Sequence, residues 1–492
     1  MPSFLTYRCP AVFHRGTSMK QILILGCAVA CLFPVSNAIG QGAYPKAPLV
    51  LPETKSEWRE PSYWISQMDN PDAVILTPDR IEQMNAAFSE RIRRQEPFAD
   101  VSPDRVPNIR RDGFFLVAPD VFGMAPGEVA GFVREQIAGL ISAIQRSRNG
   151  NAYGIAYDEA QKAAFVCEMA ADAVPDEIVP LRGLVVKTTR VRTVPDPTPF
   201  DIGLQGTGDR RYDMFNRSLA KIGQPVAVLF PSQSGEFLFT LTDRACGWVR
   251  AEDVALTDEA GANRFADPGR FVVCTGDRVM YYTDESCRIA AGAFAMGDRL
   301  PLAGNDDRQV RVPVRRANGQ LAVETAWLRA GDQVSVGYLP YTRRNIVITA
   351  FALLDNYYDW TEGYLGRNHE TTFCDIFACF GFELPWHGAM FTVYSGTEGS
   401  VPKGDESQLR SRFAAVLEHE PFVSMVTVPA GHTQLLLGQE NGEPIVFDNH
   451  GYNYTTEEGE TVMVKRTVVG TMSSPGLTDY MLVQPLVFTE LK

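Results

Sequence analysis

Histidine is rare in this sequence, and its distribution along the chain is uneven. Five of the six histidines lie between residues 369 and 450, and these are His369, His387, His419, His432 and His450. An imidazole can act as a general base or as a metal ligand near neutral pH. The residue types therefore favour catalysis or metal binding in the last quarter of the chain.

Cysteine supplies the second group of reactive side chains. Six of the nine cysteines follow residue 38, and these are Cys167, Cys246, Cys274, Cys287, Cys374 and Cys379. No C-x-x-C pair or zinc-knuckle spacing occurs, so the cysteine pattern does not indicate a zinc site. Cys274 and Cys287 flank two segments with strand character, and we predict a disulfide between them in an oxidising compartment.

The first forty residues are typical of a secretory signal rather than of a folded domain. A basic start precedes an apolar run over residues 21–33, and small residues at positions 36 and 38 form a cleavage site. We therefore predict a signal peptide over residues 1–38, with Met1 or Met19 as the start. Cys27 or Cys31 would be the modified residue if the protein were instead a lipoprotein.

Charge and hydropathy limit the partners of the mature chain. Residues 1–38 contain three basic and no acidic residues, so their removal changes the net charge from −13 to −16. A chain this acidic does not favour binding to nucleic acid. No later segment is apolar over the roughly 18 residues that a membrane span needs. We expect an exported protein of the periplasm or cell envelope.

Length and composition indicate a globular protein of several domains. A length of 492 residues predicts three or four domains. Hydrophobic residues make up 45% and charged residues 21% of the chain, proportions that are typical of globular proteins. Residues 39–182 have mostly helical patterns, including a helix capped by Thr77 with Pro78 at its first position and another helix over 128–146. We predict an N-terminal helical domain there.

After residue 182 the pattern changes to short alternating segments separated by turns, which is typical of small β-barrels. Strands are predicted at 183–194, 224–230, 236–241 and 246–250. The six residues that begin at Trp248 recur in similar form from Trp327, and Gly223 aligns with Gly297 in the same repeat. The repeat predicts two copies of one module, at 183–257 and 258–338.

The remaining segment, residues 339–492, combines helices with later strands and predicts an α+β domain. Its first helix is expected over 342–354 with Thr342 as the cap, and its second over 369–380, ending at Gly381. The strands are predicted at 423–428, 433–437, 445–448 and 481–488.

This C-terminal segment resembles the NlpC-type, papain-like cell-wall peptidases. The resemblance is carried by residues 338–346, 366–368, 375–381, 384–385 and 431–438. The motifs at Trp248 and Trp327 resemble the paired bacterial SH3 domains of the subgroup that cleaves γ-D-glutamyl-diamino acid bonds, and residues 62–85 resemble its N-terminal stabilising segment. The resemblance implies a multidomain α+β protein with a helical segment, two SH3-like barrels and a papain-like domain.

The resemblance also implies a role for three positions. In the family a cysteine at the start of the second helix attacks the peptide carbonyl, but His369 occupies that position here. His432 lies at the position of the general base. Asp448 lies at the position that orients this base, with Asn449 and His450 as substitutes if the register is shifted by one or two residues.

Other departures from the family pattern surround His369. Asn368 and Glu370 replace the aspartate and serine that, in the family, help bind the free amine of the peptide. Cys374 cannot simply replace the missing thiol, because five residues along a helix correspond to about 140° of rotation and about 7.5 Å of rise. Cys374 and Cys379 are therefore expected to be core thiols.

These observations favour a protein with the peptidase architecture that has lost catalysis, needs no cofactor and binds peptidoglycan stem peptides or a cell-envelope protein. Two enzymatic alternatives remain at this stage. One is a cysteine-type endopeptidase with an unexpected nucleophile. The other is a hydrolase in which His369, His432 and Asp448 hold zinc or iron. A purely structural assembly factor is a third class.

Overall fold

A computed structural model describes most of the chain beyond the predicted signal peptide, and its helices and strands follow the predicted order. The described residues are 51, 53–93, 118–146, 157–199, 212–386, 388–396, 400–428, 432–450, 453–455, 461–474 and 485–492. The predicted signal peptide and the first part of the strand predicted at 481–488 lie outside these residues. None of the described helices is long and apolar enough to cross a membrane.

The helices flank a long β-rich middle segment. They are α1 (Pro61–Ile65), α2 (Pro78–Arg93), α3 (Pro126–Arg146), α4 (Glu159–Glu168), α5 (Glu259–Ala266), α6 (Arg343–Phe351), α7 (His369–Ala378), α8 (Phe391–Ser395) and α9 (Leu409–Val416).

Most strands are short and belong to antiparallel sheets. The strands are β1 (Val74–Leu76), β2 (Leu181–Val185), β3 (Thr189–Arg192), β4 (Asn216–Ala220), β5 (Pro225–Pro231), β6 (Phe237–Leu241), β7 (Cys246–Arg250), β8 (Val254–Leu256), β9 (Phe271–Cys274), β10 (Arg278–Tyr282), β11 (Ala290–Ala295), β12 (Arg299–Pro301), β13 (Gln309–Arg315), β14 (Leu321–Trp327), β15 (Val334–Val336), β16 (Tyr341–Thr342), β17 (Ser400–Val401), β18 (Ser424–Val428), β19 (His432–Glu440), β20 (Glu443–His450), β21 (Asn453–Thr455), β22 (Thr461–Met463), β23 (Arg466–Thr471) and β24 (Leu486–Glu490).

The N-terminal helices contribute to two different cores. Trp64 of α1 packs with residues of α6 and α7, and β1 pairs with β16 just before α6. Helix α3 instead packs its buried face against the strands that surround Trp248. The helical segment at 39–182 thus connects the C-terminal domain to the first barrel.

The first barrel is built on a seven-stranded sheet in the order β4-β3-β7-β6-β5-β2-β8. The strand predicted over 183–194 is divided into β2 and β3, which lie in different parts of this sheet. The strands predicted at 224–230, 236–241 and 246–250 are confirmed within about one residue at each end. Trp248 is fully buried at the centre of the packing.

The strands after residue 258 form a four-stranded sheet, β11-β10-β14-β13, and a three-stranded sheet, β12-β9-β15. Two features match the predicted sequence repeat. Gly223 and Gly297 have φ angles of 80° and 79°, a conformation that favours glycine. Trp327 pairs across the ladder with Tyr282 just as Trp248 pairs with Arg192.

The predicted disulfide between Cys274 and Cys287 is wrong. Both cysteines are free. Cys274 ends β9 inside the second barrel, where its thiol donates to the carbonyl oxygen of Gly276 at 3.3 Å. Cys287 lies in the turn between β10 and β11, at the periphery of the same barrel. The two residues are close in sequence, but β9 and β10 belong to different sheets, so the residues are not held opposite each other.

The C-terminal domain packs helices against a six-stranded antiparallel sheet in the order β17-β24-β18-β19-β20-β23. Helix α6 begins after Thr342, whose hydroxyl accepts the Asn345 N–H at 3.2 Å, as predicted. It ends at Phe351, which is three residues earlier than predicted. Helix α7 lies against β19 and β20 and carries the first candidate site residue.

A buried group of charges joins α7 to the two barrels. Lys221, which follows β4, lies 2.5 Å from Asp375 of α7 and 3.2 Å from Asp298 of the second barrel. Arg367 pairs with Asp375 at 2.6 Å and also with Asp277, which precedes β10. Burial alone raises the pKa of Asp375, but the charges of Lys221 and Arg367 outweigh burial and hold the pKa below its ordinary value.

We predict that Asp375→Asn destabilises the protein strongly. The substitution removes the buried carboxylate that Lys221 and Arg367 share and leaves them only Asp298 and Asp277. Breaking a buried pair costs up to about 3–5 kcal/mol. A carboxylate whose pKa is lowered in the folded state contributes stability above its unfolded pKa, and this contribution disappears as the pH falls through the folded pKa. The free energies of unfolding of the variant and the parent should therefore converge in acid. Urea unfolding followed by tryptophan fluorescence measures both effects.

Asp307→Asn is the matched control, because Asp307 pairs with Arg270 at 3.3 Å on the surface. That pair is worth less than about 1 kcal/mol. Equal losses for the two variants at neutral pH would contradict the structural role assigned to Asp375.

Candidate active site

Helix α7 begins where the sequence predicts, with His369 as its first residue. Asn368 is the N-cap, and its side chain accepts the Thr371 N–H at 2.9 Å. The Thr371 hydroxyl in return accepts the Asn368 N–H at 3.0 Å, which completes a capping box. Asparagine is among the best N-cap residues, so the local sequence is sufficient to start the helix here. His369 is therefore fixed at the position expected for the nucleophile.

His432, the first residue of β19, faces His369. The two Nδ1 atoms lie 3.0 Å apart, and the rings are nearly perpendicular at 81° with their centroids separated by 4.6 Å. His432 is fully buried and His369 is only 6% exposed. The positions of the predicted nucleophile and the predicted base are thus in direct contact.

Asp448 completes a line of three side chains. It lies on β20 opposite Gln434 of β19, and its Oδ2 is 3.2 Å from His432 Nε2. The Gln434 amide donates to the same oxygen at 2.9 Å. The substitute candidate Asn449 is used elsewhere, since its amide donates to the Thr372 hydroxyl at 2.6 Å. The side chain of His450 and all of His387 lie outside the described residues.

The contacts of the two imidazoles allow their protons to be assigned. The carbonyl oxygen of Asn449, 3.4 Å from His369 Nδ1, can only accept, so we place a proton on that nitrogen. That single N–H is shared between the Asn449 carbonyl oxygen and the closer His432 Nδ1, at 3.0 Å, which must then accept. The His432 proton resides on Nε2, directed at Asp448. His369 Nε2 is left as the acceptor for the Tyr358 hydroxyl at 3.3 Å. The four side chains form one directed chain of hydrogen bonds.

This line does not resemble a three-ligand metal centre. Ligand nitrogens and oxygens of zinc lie about 2.0–2.2 Å from a common point. Here His432 lies between its partners, with Nδ1 toward His369 and Nε2 toward Asp448. Among the described residues no group of three His, Cys, Asp or Glu side chains is arranged to hold a metal ion. The geometry gives no support to the metal-dependent alternative.

Cys374 lies on α7 but away from the histidine pair. Its thiol is buried and donates to the carbonyl oxygen of Pro385 at 3.4 Å. Burial is the main cause that raises the pKa of this thiol to about 12. A cysteine acts as a nucleophile through its thiolate, so this environment makes Cys374 inert near neutral pH. Cys379 is buried too, with its pKa raised to about 12 for the same reason.

Glu370 introduces a carboxyl group beside the histidine pair. It is the second residue of α7 and is only 8% exposed. Its pKa is raised to about 7: burial is the main cause, the nearby carboxyl of Glu362 adds to the shift, and backbone N–H groups including that of Gly388 oppose it. The helix N-terminus favours an anion, but here it does not outweigh burial.

Aromatic side chains from two domains flank the same site. The Tyr358 ring lies 5.0 Å from the His369 ring. Tyr212, just before β4 in the first barrel, makes edge contacts with Tyr358 at 6.1 Å and with Trp360 at 5.8 Å. Trp360 is 47% exposed. Sequence analysis did not identify these residues, although the aromatic cluster at 357–364 was a usable signal.

Comparisons with known proteins agree with this architecture. Residues 200–250 match the SH3 domain family of the SH3b1 type. The solved structure of a novel NlpC/P60 endopeptidase from Photobacterium damselae subsp. piscicida aligns with a TM-score of 0.66 and 16% identity. The alignment covers 88% of this chain and 96% of that chain. This chain therefore shares the fold of that structure. The predicted α+β fold class is thereby confirmed.

Two further solved structures are more distant. An NlpC/P60 family protein from Bacillus cereus ATCC 10987 aligns with a TM-score of 0.39 and 16% identity, over 62% of this chain and 98% of that chain. NlpC2 from Trichomonas vaginalis aligns with a TM-score of 0.20 and 10% identity, over 63% and 97%. No curated protein matches the sequence significantly.

We predict that Glu370→Gln stabilises the protein at pH 8 but not at pH 4. A carboxyl group whose folded pKa is raised from 4.5 to about 7 holds its proton more tightly when folded, so stability falls as the pH rises through that window. The full penalty, up to about 3 kcal/mol, applies above pH 7. The neutral amide avoids it. Urea unfolding at both pH values measures the difference.

The control is Glu418→Gln, which changes an exposed glutamate just after α9. Its effect should be small and independent of pH in this range. If Glu370→Gln destabilises the protein equally at pH 4 and pH 8, the glutamate is ionised and well solvated in the folded state, contrary to the structure.

Proposed function

We propose that this chain is an exported cell-envelope protein that binds peptidoglycan stem peptides through an NlpC/P60-like domain without cleaving them. The observation that carries the proposal is the side chain of His369 at the nucleophile position, engaged through both ring nitrogens. The predicted signal peptide and the SH3b1-type segment support a location at the cell envelope. Secretion itself rests on the sequence pattern of residues 1–38.

The proton arrangement explains why His369 is a poor nucleophile. Attack from Nδ1 would require removal of its proton by His432, which converts a neutral imidazole into a strongly basic imidazolate. Attack from Nε2 would require the hydrogen bond from the Tyr358 hydroxyl to the Nε2 lone pair to break. Even after attack, an acyl-imidazole is labile and an amine is a poor leaving group. Neither nitrogen therefore replaces a thiolate activated by a neighbouring base.

The groups around the missing nucleophile still form a surface suited to a peptide. Trp360, packed against the buried Tyr212, provides exposed aromatic area, and the Asn368 amide lies at the site edge, where it donates to the Trp360 carbonyl oxygen at 3.4 Å. Glu370 provides a carboxyl group near the helix start, able to attract an amine when ionised. A cleft can bind its ligand in the absence of the reacting group, because binding and bond cleavage use different contacts.

Catalysis is tested with the peptide L-Ala-γ-D-Glu-meso-diaminopimelate and the purified full-length chain. We expect binding by calorimetry but no cleavage products by mass spectrometry. Loss of a nucleophile typically leaves only about 10³–10⁴-fold acceleration over water. His369→Cys should restore measurable cleavage, because it places a thiol at a helix start beside His432. Asn368→Asp and Glu370→Ser, added to that variant, should raise the rate further.

Two variants make the result decisive. His369→Cys combined with His432→Ala should lose the restored cleavage, whereas His369→Cys combined with Cys374→Ala should keep it. Cleavage by the unmodified chain that disappears in His432→Ala would overturn the proposal of an inactive domain. Absence of both binding and cleavage would overturn the choice of ligand.

A further inference from the structure

A cavity separate from the histidine site lies between the second barrel and the loop after β2. Its volume is about 740 Å³, within the range of about 300–1,000 Å³ that is usual for ligand pockets. Strands β10 and β14 pair only through Tyr282 and Trp327. The cavity lies between the β10–β11 hairpin and the β13–β14 hairpin. Lys187 and Thr188 of the first barrel close one side.

Strand β11 presents its edge to this cavity. It is the outermost strand of its sheet and pairs only with β10 among the described residues. Five consecutive residues, 291–295, line the cavity. Consecutive side chains of a strand point to opposite faces of the sheet, so five residues in a row cannot all line one cavity with their side chains. The backbone edge of β11 therefore borders the cavity. Four of these five residues are alanine or glycine, which leave the edge accessible.

The register shows which backbone groups are directed outward. Met296 donates its N–H to the Asp277 carbonyl oxygen at 3.1 Å, and antiparallel bonding alternates along the strand. Phe294 and Gly292 therefore exchange bonds with β10, whereas the N–H and C=O of Ala293 point away from it. The N–H and C=O of Ala295 also point away from β10, but the N–H donates to the Asp298 carboxylate and the carbonyl oxygen accepts the Asp298 N–H. Ala293 is thus the residue of this edge whose N–H and C=O can bond to a ligand.

The charges around the cavity favour an acidic ligand. Lys187, Arg278 and Arg315 line it together with Glu252 and Glu324. Glu252 forms an ion pair with Arg250 at 2.9 Å, so cations predominate locally in a chain whose net charge is −13. The floor includes the buried side chains of Tyr281, Phe294 and Val312. This combination suits an extended peptide that carries acidic side chains between small or apolar ones.

We infer that this cavity binds an extended acidic segment of a partner protein, which adds to β11 as a further strand. Main-chain hydrogen bonds to Ala293 supply affinity, and the cations, of which Lys187 and Arg278 are exposed, select acidic side chains. An exposed strand edge is a ready template for such pairing. The site uses an α-linked backbone, which distinguishes it from the γ-linked stem peptide proposed as the ligand of the histidine site.

The test uses fluorescence anisotropy with a labelled peptide of alternating threonine and glutamate and a lysine counterpart. The acidic peptide should bind the full-length chain, although the overall charge repels it, and the lysine peptide should not. Ala293→Pro removes the outward N–H without touching the β10 ladder, and it should weaken binding about tenfold, the effect of losing one main-chain bond. Lys187→Glu should weaken binding at least as much.

Ala293→Val is the matched control, since it retains the N–H and should bind within about twofold of the parent. Thermal unfolding of each variant identifies any loss of folding, and Lys187→Glu tests the site without altering a strand. Failure of the acidic peptide to bind, or binding unchanged in both Ala293→Pro and Lys187→Glu, would overturn the inference. Displacement by the stem peptide would reassign the cavity to that ligand. His369 is not part of this cavity, so failure here leaves the proposed function untouched.

Discussion

The placement of α7 depends on one buried carboxylate. Asp375 is held by Lys221 from the first barrel and by Arg367 from the segment before the helix, and Arg367 also contacts Asp277 of the second barrel. A carboxylate buried among cations is tolerated only while the pairing is complete. Three domains therefore converge on this helix, and the position of His369, less than two turns away, is fixed by the same contacts.

Histidine at position 369 is compatible with the rest of the site for a simple steric and chemical reason. Its ring spans the distance between the helix start and His432, and each nitrogen finds a partner, one at His432 and one at Tyr358. A smaller apolar residue would leave the His432 ring nitrogen buried without a partner, which costs about 1–3 kcal/mol. The contact between His369 and His432 thus stabilises the buried pair.

Local signals were sufficient to predict the elements that position the site. Thr342 caps its helix as predicted, and the second helix begins at His369 as predicted but ends at Ala378, two residues early, with Gly381 in left-handed geometry just beyond it. Asn368 caps that second helix, a role that the sequence analysis did not assign to it. Long-range contacts were beyond a single sequence. The proximity of Tyr212 to Tyr358 and the incorrect pairing of Cys274 both depend on how the barrels fold and pack. No periodicity encodes which side chains of separate domains will meet.

The survival of His432 and Asp448 is weak evidence for catalysis once their energetics are considered. Both are buried, and each satisfies the other, with Gln434 as a further donor to the carboxylate. Removal of either would leave a polar or charged group in a site with little access to water, so stability alone is enough to retain the pair. The contact between His432 and Asp448 is therefore accounted for by stability as well as by catalysis. The position that the resemblance assigns to the nucleophile holds the imidazole of His369, whose two ring nitrogens contact His432 and Tyr358.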